Sequence, residues 1–92
     1  MKPLQKVAAF LILVGIEKGR SIIALMDSRE INNVVPEISK LSELSPETQK
    51  KVWAEFEQLG YQEDMNPSET LSIIRLLFNG SYISKKNADL FH

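Results

Sequence analysis

The sequence predicts an all-α fold of five to six short helices, packed as a compact bundle or as a short armadillo-like helical solenoid. Apolar residues recur at helical spacing in successive segments, proline, glycine and serine or Asx signals mark where those segments start and stop, and no segment alternates as a half-buried strand does. The links are short and no low-complexity stretch divides the chain, so residues 1–92 read as a single helical domain. The last residues open like another helix, as a fragment of a longer protein would. At 92 residues and 43% hydrophobic content, one core can form without metal or disulfide support.

The first helix is expected over residues 3–14. Pro3 suits the first turn, Leu4, Val7, Ala8, Leu11 and Val14 share helical spacing, and Phe10, Ile12 and Leu13 cover the remaining sides. A helix apolar on nearly every side must be central or covered by a partner. Met1, Lys2 and this apolar run also resemble a signal peptide, but the run is too short to span a bilayer and Glu17-Lys18-Gly19-Arg20 follows at once, so it is read as core. Gly15 is a natural stop, and Glu17 to Met26 restart a helix presenting Ile22, Ile23, Leu25 and Met26, tightly paired with the first.

Asp27 and Glu30 have capping-box spacing ahead of Ile31, Val34, Val35, Ile38 and Leu41, which form one stripe. Pro36 interrupts that stripe, leaving a kink and two shorter helices both open. Ser45-Pro46-Glu47 starts the clearest amphipathic helix, running to about Leu59 with Val52, Phe56 and Leu59 inward, Trp53 alongside, Gln49, Lys50, Lys51, Glu55 and Glu57 toward solvent, and Gly60 as the stop. Tyr61 to Met65 reads as a connecting loop. Asn66-Pro67-Ser68-Glu69 then begins a helix ending at Asn79-Gly80, in which six of the eight residues from Leu71 to Phe78 are apolar, more than one buried stripe needs. Ser84 to Leu90 suit a sixth helix.

Eleven basic and twelve acidic side chains, interspersed, give a net charge of -1, so no overall field draws nucleic acid or anionic lipid. Lys50-Lys51, Arg20 and Lys85-Lys86 are scattered and lack aromatic interleaving. The chain has no cysteine, and its one histidine, His92, is the last residue, which removes the commonest nucleophile, general-base and metal-ligand chemistry. Glu55 with Glu57 and Glu63 with Asp64 read as solvated pairs. The expectation is a protein without enzymatic activity, cofactor or metal.

The stretch Lys6-Val7-Ala8-Ala9-Phe10-Leu11-Ile12-Leu13-Val14-Gly15-Ile16-Glu17-Lys18-Gly19 resembles the opening of the amino-terminal domain of the flagellar motor switch protein FliG, where an apolar helix ends in glycine before Glu-Lys. The resemblance continues through Ile22 to Asp27, Glu30-Ile31, Glu37 to Leu41 and Ser45-Pro46-Glu47 to Phe56. It departs at Asn66-Pro67-Ser68-Glu69-Thr70-Leu71, where the family usually has a glycine pair and Tyr-Ala, so a divergent member is implied. The helical domain of MgtE-type magnesium transporters has a similar architecture and ranks second, its Asp/Glu-rich hairpins not being evident here.

The resemblance implies a cytoplasmic adaptor at the inner face of the membrane, reaching the membrane only through its partner. That partner would be the carboxy-terminal tail of the ring protein FliF, with neighbouring FliG subunits as further contacts. A helical tail would lay its apolar side into a groove between helices. The candidate contact residues are Phe10, Leu13, Val14, Trp53, Phe56, Ile74, Leu77 and Phe78, each of which core packing would also explain.

Overall fold

The computed structural model describes residues 2–41 and 43–78. Among these residues it contains five helices and no strand: α1 (Pro3–Leu13), α2 (Ile16–Leu25), α3 (Ser28–Lys40), α4 (Pro46–Gln58) and α5 (Pro67–Phe78). The expected helix over 84–90 lies outside the described residues. α1 is the centre, packing on each of the other four helices, while α2 and α5 also pack on one another. Val7, Ala8, Ala9, Phe10 and Leu11 are all buried, so the helix that is apolar all round is enclosed by its own neighbours.

The start signals act as their chemistry dictates. Asp27 Oδ1 accepts the Glu30 N–H at 2.8 Å and Glu30 Oε1 accepts the Asp27 N–H at 2.9 Å, closing a capping box at α3. Asn66 and Glu69 repeat the exchange at α5, and Ser45 Oγ accepts the Thr48 N–H at α4. Glu30 also accepts two bonds of 2.9 Å from Arg75, joining the start of α3 to α5. Lys6 reaches Glu55 at 2.8 Å across α1 and α4, and Lys18 Nζ donates to the Glu63 carbonyl at 2.7 Å.

α3 runs unbroken through Pro36, which excludes two shorter helices. Both Pro36 and Asn32, whose carbonyl loses its intrahelical donor, are exposed, so water can take the missing bond. Within the stripe Val34 is fully buried and Ile31, Ile38 and Leu41 are half-buried, but Val35 is 41% exposed, because it stands one residue off the line of the other four.

Gly15, at φ 98°, ends α1 and turns directly into α2. The two helices then approach so closely that a Cβ at Gly19 would lie 2.9 Å from the Leu11 carbonyl oxygen, a backbone atom that cannot swing aside. Replacing an exposed helical glycine by alanine normally stabilises by about 1 kcal/mol. At this position Gly19→Ala is instead expected to destabilise by about 1–3 kcal/mol in urea unfolding, since the α1–α2 pair must separate.

Arg75 beside Glu30 holds its carboxyl below the usual carboxylate range, with the Asp27 N–H acting in the same direction against partial burial. A depressed native value means that the unfolded state binds more protons, so this stability is present above the unfolded pKa and is lost as pH falls through the lower native one. Stability measured downward from neutrality is therefore expected to fall below about pH 4.3. Glu30→Gln, which keeps an acceptor for the cap, should flatten that acid limb and lower stability at pH 7 by about 1 kcal/mol.

Candidate interaction groove

Four aromatic rings organise the α1–α4 contact. Phe10 stacks on Phe56 with centroids 3.9 Å apart and planes 12° from parallel, receives the edge of Tyr61 at 4.9 Å, and meets Trp53 tilted at 5.9 Å. Trp53 and Tyr61 meet edge to face at 5.5 Å. The edge-on contacts satisfy the ring quadrupoles, and all four rings add to the burial of apolar area.

Tyr61 lies in the connection expected between α4 and α5, yet its side chain joins this core and is only 5% exposed. Its N–H donates to the Phe56 carbonyl at 3.0 Å while the Gly60 N–H donates to Glu57, the pair of bonds that closes a helix over a left-handed glycine and carries the next residue back onto the helix. An aromatic immediately after the stop glycine was the signal for it. Among the eight contact candidates, Phe10, Phe56 and Ile74 have no exposed surface at all, and they serve as core in this conformation. Leu13, Val14, Trp53, Leu77 and Phe78 are half-buried.

Leu13 and Trp53 come together. With Gln49, Lys50, Ala54 and Glu57 they line an open groove of about 460 Å³ between the end of α1 and the outer face of α4. Residues 49, 50, 53, 54 and 57 fall in one arc of α4, so a single helical face supplies most of the lining. The groove adjoins a smaller one of about 140 Å³, lined by Ile12, Leu13, Leu41, Glu43, Leu44 and Gln49, with Leu13 and Gln49 common to both. Ile12, in the smaller groove, is 42% exposed.

The floor is apolar, and the polar groups stand along the rim instead of converging on a point as they do in a small-molecule site. Gln49 spends its amide on the Leu44 carbonyl at 2.8 Å. Lys50, Glu57 and Glu43 have no ion-pair partner among the described residues. Gln49, Lys50 and Glu57, read from sequence as solvent-facing, are exposed and also line the groove; their spacing relative to Trp53 was visible, but α1 ending beside them was not. Leu77 and Phe78, by contrast, lie at the opposite end of the order of elements, on α5, which packs on α1 and α2. No group of three or more metal-ligating side chains occurs among the described residues, and no helix there is long and apolar enough to cross a membrane.

A central helix packed on four others, with an apolar groove and charged rim at its end, defines the protein as an all-α bundle. The sequence profile of the FliG N-terminal domain matches residues 1–91, and the chain belongs to that family. It is accordingly a flagellar motor switch domain, from a family of structural, protein-interacting motor components that is not a known enzyme family. Comparison with curated proteins and with solved structures gives no significant match in either case.

The ring stack and the groove share α1 and α4 but differ in burial. Phe10→Ala is expected to cost about 3–5 kcal/mol, since it empties the centre of the core, whereas Leu13→Ala at the groove wall should cost about 1 kcal/mol. Urea unfolding followed by the fluorescence of Trp53, the single tryptophan, measures both.

Proposed function

We propose that this chain is a non-enzymatic adaptor of the flagellar rotor, in which the groove between α1 and α4 receives the cytoplasmic tail of the membrane-ring protein FliF. The observation that carries the reading is an apolar groove walled by Leu13, Trp53 and Ala54 on a member of the FliG N-terminal family. Burial of apolar anchors from an amphipathic helix would supply affinity, and a half-exposed tryptophan is the residue type most often found at the energetic centre of such contacts. The domain would sit at the cytoplasmic face of the inner membrane, held there through its partner, and neighbouring FliG subunits would complete the switch ring. Residues 1–92 act in this reading as one helical unit of a longer switch protein.

Isothermal calorimetry with a synthetic peptide of the FliF carboxy-terminal tail tests it. Saturable binding is expected, accompanied by a shift in Trp53 emission. Leu13→Glu should abolish binding while leaving the helical circular dichroism unchanged, because Leu13 lies at the groove wall and outside the fully buried core. A folded, monomeric sample that shows no heat with the peptide at high micromolar concentration overturns the reading.

A further inference from the structure

The charges around the groove follow an order of their own. Lys50 and Glu57 stand on the same face of α4, seven residues apart, which is two helical turns or about 10 Å along the axis. Glu43 stands beyond them at the adjoining groove. Along the path the rim therefore reads acidic, basic, acidic, with Trp53, Ala54 and Leu13 supplying apolar floor and wall between.

Lysine and glutamate on one helix commonly pair with neighbours three or four residues away. Here the cross-helix pairs of the fold involve other residues, Lys6 with Glu55 and Arg75 with Glu30, and none involves the rim. Glu55 and Glu57 show the division within α4, since Glu55 faces Lys6 on α1 and Glu57 faces the groove. The rim charges are consequently free to meet charges brought by an occupant, while the structural pairs need not be broken to allow it.

We propose that the rim fixes the register of the bound helix, selecting one that carries an acidic residue against Lys50 and a basic residue two turns away against Glu57, with its apolar residues between them at three- and four-residue spacing on Leu13, Trp53 and Ala54. This rests on the reading that the groove docks a helical tail, and it adds which tail sequence and which register fit. A helix running either way along α4 satisfies the rule, because reversing the chain exchanges only the order in which the two charges occur in its sequence. An apolar helix lacking them would still find the floor, but in several registers. Rim charges of this kind act mainly on selectivity and association rate, with the apolar floor providing most of the affinity.

The test uses the full chain with the FliF tail peptide and peptide variants in which each charge is reversed. Lys50→Glu and Glu57→Lys are each expected to weaken binding about five- to ten-fold at low salt, less at high salt. Reversing the facing peptide charge should restore affinity for the matching protein variant and for no other. Charge reversals that all leave affinity within two-fold, while Leu13→Glu abolishes it, overturn the register and leave the groove reading intact. If the unaltered chain does not bind the peptide, both fall. A concentration-dependent dimer in sedimentation that Lys50→Glu dissolves would assign the groove to a second copy of the chain and also overturn the proposal.

Discussion

Phe10 stacked on Phe56 is the contact through which α1 meets α4, and both rings are wholly removed from water. Because α1 is also the helix on which α2, α3 and α5 pack, a shift of Phe10 would displace the element common to most of the bundle's helix contacts. Close packing makes such a centre stiff, since neighbouring side chains have no void into which to relax. The edge-on Tyr61 and the tilted Trp53 then fix the rotation of α4 about its own axis. That rotation determines which of its polar residues face solvent and which face the groove.

Trp53 connects the two regions. Its ring reaches the aromatic core on one side and lines the groove on the other, so the geometry of the exposed wall is set by buried contacts. Leu13 has the same double position on α1, packed against the core cluster while bordering both grooves. A wall of this kind is prearranged: an occupant meets side chains already held in place, and the ordering entropy that a loose surface would lose on binding is largely absent. The α1–α2 turn at Gly15 ends the central helix beside this wall, and the tight approach at Gly19 holds α2 against α1, where it also meets α5.

Most of the fold was legible because its signals are local. Asp27 with Glu30, Ser45 with Pro46, and Asn66 with Glu69 each act within one helical turn, and all three operate as their types and spacing suggest. The all-round apolar character of residues 7–11 identified a helix that must be enclosed, and it is. Phe56 and Trp53, three residues apart on one helix, were legible as inward and flanking, and Phe56 is buried while Trp53 borders the groove. What sequence could not supply is the other wall, because Leu13 reaches Trp53 only through where α1 ends relative to α4. Tyr61 was legible in principle from Phe56 and Gly60, provided that the residue after a stop glycine is followed back onto the helix. The continuity of α3 through Pro36 depends on solvent reaching one carbonyl, a property of the assembled surface.

The placement of charge follows from the same geometry. Lys6–Glu55 and Glu30–Arg75 lie across helix contacts, where partial burial strengthens attraction and where each pair restricts how two helices can slide. Glu30 shows how tightly the roles are combined, since one carboxylate closes the α3 cap and also anchors α5. Lys50 and Glu57 instead line the groove without an ion-pair partner among the described residues, so they add nothing comparable to holding the bundle together. A surface with no structural task tolerates nearly any polar residue, and an alternation of opposite charges around an apolar floor is one of the few patterns there that also distinguishes one register from another. The division between charges that hold helices and charges that border the groove is therefore already present in α4, where Glu55 and Glu57, two residues apart, point to different neighbours.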